Sequence, residues 1–276
     1  MSSSSRHHRR TPSDKRVKVL GVATHAKWNM ANWINGIVLH GGIPCPIGLG
    51  QAWGGWLWRT KQVKAVLDQL ADSEIVMITD VYDAFVVGSL DEAVREFKRM
   101  KVRILVSVEE YWSPKGLEQL DPDFTEDNYA RDLEAKFGDG FCQTFRQRAI
   151  NAGQIIGYVK DLRALFAHTV HFMSTQVDDD QAALYALYLP YLRGQQKKAP
   201  FALDFDMRVF STLSNMHQYR RDWTWDEQRR SWRHNDLQTS PPCLHFAGEG
   251  KFEVYRLMGR KALGDVFNYN CRKKGK

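Results

Sequence analysis

The chain has 276 residues, is 43% hydrophobic and carries a formal net charge of +7. That length suits one large domain or two small ones with a sizeable core. With no 18-residue apolar run and no apolar leader, the reading excludes a membrane-spanning helix and a secretory leader, and predicts a cytoplasmic chain, in the host cytoplasm if it is viral.

Residues 1–16 are Ser-rich and basic (Arg6, Arg9, Arg10, Lys15, Arg16), and 271–276 are basic again (Arg272, Lys273, Lys274, Lys276). Neither segment has an apolar face, so both are expected to be disordered tails around one domain at 17–270. Basic tails can bind nucleic acid or an anionic surface, or simply stay solvated. The four cysteines (Cys45, Cys142, Cys243, Cys271) are scattered without a C-x-x-C, which suits reduced thiols rather than a disulfide framework.

Within 17–270, Val17–Ala23 is predicted as a strand ending at Thr24. Met30–Leu39 carries a helical apolar pattern, Pro44–Leu49 is strand-like, and Arg59–Leu70 is helical. Ile75–Thr79 is β-branched or aliphatic throughout and predicts a buried strand. Leu90–Met100 is an amphipathic helix and Val102–Val108 another strand. This alternation argues for an α/β fold, a parallel sheet flanked by helices. Further on, Asp121–Gly140 reads as an acidic loop, Ile155–Val159 as an apolar strand, and Asp161–Met173 and Gln181–Leu192 as helices. Ala202–Phe246 holds short aromatic segments of no clear type.

The chemistry starts where Ile75–Thr79 runs into Asp80-Val-Tyr-Asp83. Ligands bind at the carboxyl ends of strands in open α/β sheets. Two carboxylates there repel each other unless a cation or protons intervene, and a divalent metal bridging to phosphate answers that need. A strand end followed by an ordinary Asp turn is the plainer reading. Four further features converge on the metal. His245, after the strand-like Cys243-Leu244, offers an imidazole nitrogen beside the carboxylates, while Gly248 lets the backbone approach a phosphate and Lys251 gives it a point charge. Asp178-Asp179-Asp180-Gln181 opens a helix; one acid suffices as a cap, so the others are free for a polyhydroxylated ligand. Asn151-Ala-Gly153 reads as a tight turn before a strand, fixing a polar ligand group. Gly48-Leu-Gly50-Gln-Ala-Trp53-Gly-Gly55 is neither G-x-G-x-x-G nor a P-loop, and Trp53 would cover a flat nucleobase or sugar.

Taken together, these segments resemble the GT-A glycosyltransferases, and among them the glycosyltransferase domain of procollagen lysyl hydroxylase/glucosyltransferases and its viral relatives. The resemblance is carried by Val22-Ala23-Thr24, Gly48 to Trp53, Thr79 to Asp83, Val108-Glu109-Glu110-Tyr-Trp112-Ser-Pro114, Asn151 to Tyr158, Asp178 to Gln181, Leu203-Asp204-Phe-Asp206, and His245-x-x-Gly248-x-x-Lys251. The last motif is also similar to that of glycogenin-type enzymes. The family's Gly-Asn after the histidine is replaced here by Phe246-Ala247, and a lysyl hydroxylase block is absent.

The resemblance implies a GT-A (Rossmann-like) fold with a mixed, mainly parallel sheet. It implies a UDP-sugar donor of a hexose or pentose, a hydroxyl acceptor and Mn²⁺ or Mg²⁺. Asp80, Asp83 and His245 become the expected metal ligands, and Gly248 and Lys251 the diphosphate contacts. Thr24 and Trp53 are expected near the uridine. Asn151, Asp179, Asp180 and Gln181 would line the sugar and acceptor side, with Trp112 nearby. The glycogenin likeness favours retention of configuration; inversion would need a base such as Glu109, Glu110 or Asp206. The rival readings are a metal-dependent nucleotidyltransferase or phosphohydrolase, and a basic nucleic-acid-binding module, including a sugar transferase acting on modified DNA.

Overall fold

The protein was analysed as a computed structural model that describes residues 16–27, 29–110, 116–214, 216–248, 251–264 and 267, without the side chains of 251 and 252. In chain order the elements are β1 (Lys18–Val22), α1 (Met30–Leu39), β2 (Ile43–Ile47), α2 (Gly55–Leu67), β3 (Ile75–Thr79), β4 (Ala84–Val86), α3 (Leu90–Arg99) and β5 (Ile104–Glu109). A short 3₁₀ turn at Leu117–Gln119 leads to α4 (Glu126–Phe137), α5 (Phe141–Thr144), β6 (Ala149–Tyr158), α6 (Val159–Thr175) and α7 (Asp180–Leu192). The remainder is β7 (Ala202–Leu203), β8 (Phe210–Leu213), α8 (Met216–Asp222), β9 (Trp223–Asp226), β10 (Ser231–His234), β11 (Cys243–Phe246) and α9 (Lys251–Leu263).

The main sheet has the order β2-β1-β3-β6-β5-β7. Its pairs are parallel except at β6, which runs antiparallel to both β3 and β5. The sheet is therefore mixed and mainly parallel, where the alternation of elements alone suggested a parallel one. A second sheet, β4-β11-β8, and the β9-β10 hairpin complete it. Apolar side chains form one cluster on each face of the main sheet and a third around β4, β11 and α9.

Two sequence expectations need correction. Asp121–Gly140 is not a loop: Thr125 accepts a hydrogen bond from the Asn128 N–H as N-cap, and Tyr129 and Leu133, four residues apart, bury one face of α4. The acidic side chains that made it look loop-like sit on the solvent face. Asn151–Gly153 is not a turn before a strand but lies inside the ten-residue β6, whose start is Ala149 rather than Ile155. The pairing of β5 with β6 jumps from Val106↔Ile155 to Ser107↔Asn151, so Ala152–Gln154 bulge out of that ladder while Gln154 still pairs with Thr79. Of the basic segments predicted for 1–16 and 271–276, all but Arg16 lie outside the described residues, as does Trp112.

Candidate metal and donor site

β3 is buried from Val76 to Thr79 and delivers Asp80 and Asp83 to its carboxyl end. The Asp80 N–H donates to the Gly153 carbonyl at 2.9 Å, which ties the acid to the β6 bulge. β11 brings His245 opposite Ala84, and the Phe246 N–H donates to the Asp83 carbonyl at 2.7 Å. One ligand atom from each of Asp80, Asp83 and His245 lies within 4.8 Å of the others. His245 Nε2 is 3.5 Å from Asp80 Oδ2 and 3.6 Å from Asp83 Oδ1.

The imidazole is aimed by Asn151. The Gly153 N–H donates to Asn151 Oδ1 at 3.0 Å, which identifies that atom as the acceptor. His245 Nδ1, 3.0 Å from the same oxygen, must then carry the hydrogen, and the Nε2 lone pair points at the two acids. Ser107 donates from the far side, at 3.2 Å to Oδ1 and 2.9 Å to the Asn151 carbonyl. Gly153 is needed for space: a Cβ there would sit 2.4 Å from His245 Cε1. Burial lowers the His245 pKa, but the hydrogen bond and charge of Asp83, with Asp80 and Glu109, raise it above its ordinary value. The field at Nε2 thus calls for positive charge.

Arg59 stands at this site and motif reading missed it. It is buried, and its guanidinium bridges Asp80 Oδ1 and Asp180 Oδ2, the latter at 2.6 Å. Asp80 is therefore shared: one oxygen to Arg59, the other toward His245. Arg59, Val63 and Leu67 follow one another at four-residue steps along the buried face of α2. A lone cation on an apolar stripe was the available signal, since charged residues are rarely buried unless paired.

The acidic run divides its work. Asp178 Oδ1 accepts from the Leu57 N–H at 2.7 Å, joining it to the first turn of α2. Asp179 caps α7, accepting from the Ala182 N–H at 2.8 Å. Burial pushes the Asp180 carboxyl up, Arg59 pulls it down, and Asp80 and Asp179 push it up again, leaving it at about 6. Gln181 takes the Ala152 N–H at 3.4 Å and donates to Glu109 at 3.2 Å, fastening α7 to β6 and β5. The fold thus gathers Asp80, Asp83, His245, Asn151, Asp180 and Gln181 at one end of the sheet.

Thr24 is buried beside His25, and its carbonyl accepts from the Gly50 N–H at 3.0 Å, so the loop bearing Trp53 is pinned to the end of β1. Tyr82, between the two acids, exchanges hydrogen bonds with the His25 backbone. Trp53 is 49% exposed, with Trp56 and Trp58 edge-on at 5.3 and 5.7 Å. Gly248, at φ +77°, lies between β11 and α9, a left-handed backbone that favours glycine. Lys251 opens α9.

Residues 13–260 match the family described as the PLOD GT domain. The chain is 25% identical over 253 residues to a procollagen-lysine,2-oxoglutarate 5-dioxygenase of Drosophila melanogaster, covering 87% of this chain and 31% of that protein. To the human multifunctional procollagen lysine hydroxylase and glycosyltransferase LH3 it is 28% identical over 224 residues, covering 75% of this chain and 26% of the relative. It therefore spans about a quarter to a third of the length of these relatives. A solved glycosyltransferase involved in glycosylation of the major capsid of PBCV-1 has a similar fold, with a TM-score of 0.51, 10% identity, and coverage of 88% of this chain and 98% of that one. On the family match, which takes in both acids, His245 and the strands that hold them, the chain belongs to the PLOD GT domain family of glycosyltransferase domains.

Proposed function

We propose that this chain transfers a sugar from a UDP-linked donor to a hydroxyl acceptor, with Mn²⁺ held by Asp80, Asp83 and His245. The observation that carries the reading is the Asn151-oriented imidazole facing two carboxylates: one neutral nitrogen and two hard oxygens form a donor set suited to Mn²⁺ or Mg²⁺. When bound, the cation supplies charge for the diphosphate oxygens and acts as a Lewis acid for the leaving nucleotide.

The chain's own residues do the rest. Arg59 holds one oxygen of Asp80 and leaves the other for the metal. Asp180, ionised above about pH 6, sits beside Arg59, where it can stabilise positive charge growing on the anomeric carbon. Gln181 and Asp179 fix the first turn of α7, from which Asp180 projects. Gly248 and Lys251 lie at the turn into α9, where backbone N–H groups and a lysine suit a diphosphate. Thr24 and Trp53 take the uridine side.

Of the bases an inverting route would need, Asp206 is bound to Arg208 at 3.1 Å. Burial raises the Glu110 pKa, but hydrogen bonds from Arg221 and Gln218 hold it below the usual carboxylate range. Held below that range, Glu110 is a weak base, which leaves Glu109, hydrogen-bonded by Gln181, as the remaining candidate for an inverting route.

The test is a turnover and thermal-shift screen of nucleotide sugars with and without Mn²⁺. UDP with Mn²⁺ should stabilise the protein more than either alone, and UDP should be released from the donor. Loss of both in Asp80→Ala and Asp83→Ala is expected. Release of pyrophosphate instead of UDP would move the reading to nucleotidyl transfer, and unchanged Mn²⁺-dependent turnover in both variants would sink the metal assignment.

A further inference from the structure

We infer that the β7 edge of the main sheet is a docking site for an extended, acidic peptide segment that adds to it as a further strand. β7 is the last strand of the sheet and is only two residues long. It pairs in parallel with β5, Val106 opposite Leu203, and the Asp204 N–H donates to the Val106 carbonyl at 3.0 Å. In that register Ala202 and Asp204 turn their backbone groups inward, and Leu203 turns its N–H and C=O away from β5.

Two grooves flank this edge. One, of about 750 Å³, runs past Ile104, Tyr188, Tyr191 and Phe201 on the α6/α7 side. The other, of about 290 Å³, takes in Met100, Leu105, Phe141 and Phe145. They share Val102, Ala202, Leu203 and Phe205, and Phe205 packs against Phe137, Phe141 and Phe145. An added strand sends alternate side chains to opposite faces, and apolar lining around the edge is what receives them.

Charge selects the occupant. Lys101 and Lys198 line the larger groove, both exposed, and neither has an acidic partner among the described residues. Asp161, in the same groove, is already bound by Arg103 at 2.7 Å. At the smaller groove Asp206 is paired with Arg208, and Asp204 accepts three backbone N–H groups. Lys101 also has φ +56° just beyond the end of α3, a position where glycine is the usual choice. A lysine there is strained relative to glycine and lines the groove. Lysines often guard sheet edges against pairing; two apolar grooves beneath them go beyond what a guard needs. The chain's own ends are basic (Arg6, Arg9, Arg10; Arg272, Lys273, Lys274) and would be repelled.

The test selects nine-residue peptides from a random display library on the whole protein, then measures the enriched peptides by fluorescence anisotropy. Acids alternating with apolar residues should be enriched. The double variant Lys101→Glu/Lys198→Glu should weaken their binding at least tenfold while leaving the wild-type melting temperature. Methylating every second peptide amide should abolish binding in one of the two registers. No enrichment of acidic peptides, binding that survives charge reversal, or indifference to both methylated registers would overturn the proposal. So would a dimer of this chain dissociated by the same double variant, because the edge would then pair with a second copy.

Discussion

One side-chain oxygen, Oδ1 of Asn151, decides which way a histidine looks. It faces the Gly153 N–H, His245 Nδ1 and the Ser107 hydroxyl within 3.2 Å, in a pocket from which water is excluded. Removing a ligand's outer partner typically costs ten- to a hundredfold in metal affinity. Asn151→Leu should therefore weaken Mn²⁺ binding by about that factor, as read by calorimetry, with Asp80 and Asp83 untouched. Gly153→Ala should do the same for a different reason, since its new methyl overlaps the imidazole; affinity at the wild-type level in both variants would remove Asn151 from this role. Asp80, Asp83 and His245 were legible in the sequence because each follows an apolar run. The role of Asn151 was not, because its partner is 94 residues away and meets it only through the β6 bulge.

At the scale of elements, Arg59 ties α2 to β3 through Asp80 and to α7 through Asp180. Removing one member of a buried charge network leaves the others uncompensated, typically at 3–5 kcal/mol. Arg59→Met should lose about 3 kcal/mol at pH 7.5 by denaturant unfolding. The pH dependence has a definite sign. Asp180 has a folded pKa of about 6, above its ordinary value, so the folded state binds the proton more tightly and stability falls as pH rises toward 6. Without Arg59 that pKa climbs further, so the gap between variant and wild type should widen with pH and narrow by pH 5; a gap independent of pH would mean that Asp180 does not need the guanidinium. Helix α2 itself was readable from its apolar spacing, though its start is Gly55 rather than Arg59. Its charged residue on the buried stripe had no visible partner, since pairing across elements is not a local pattern.

Across the whole molecule, the second sheet carries one of the three candidate metal ligands, His245, and rests on its own core. Phe85 stacks on Phe246 at 5.2 Å and meets Tyr255 edge-on at 4.7 Å, and all three are buried. Phe85 sits on β4 between the residues that pair with His245 and Cys243. Phe85→Ala should cost about 3–5 kcal/mol, and it should lower Mn²⁺ affinity as well, because β4 sets the height of His245; a stable, metal-tight variant would show that β11 is held without it. The mainly parallel sheet and its flanking helices were readable from the alternation of apolar runs in the first half. The β4-β11-β8 sheet was not, because its strands are three or four residues long and the aromatic segments around them show no clear period.

The antiparallel placement of β6 sets an order of assembly. β3 can present Asp80 and Asp83 as soon as the first half of the chain has collapsed, but the nitrogen ligand arrives on β11, the last strand among the described residues. Until β11 slots between β4 and β8, Asn151 waits without its imidazole while Asp80 is already held by Arg59. Long-range pairings of this kind form late, after local structure. A chain interrupted before Cys243 would keep most of the main sheet yet offer two carboxylates in place of a complete ligand set, so tight capture of the cation would mark the moment at which β11 has joined its sheet.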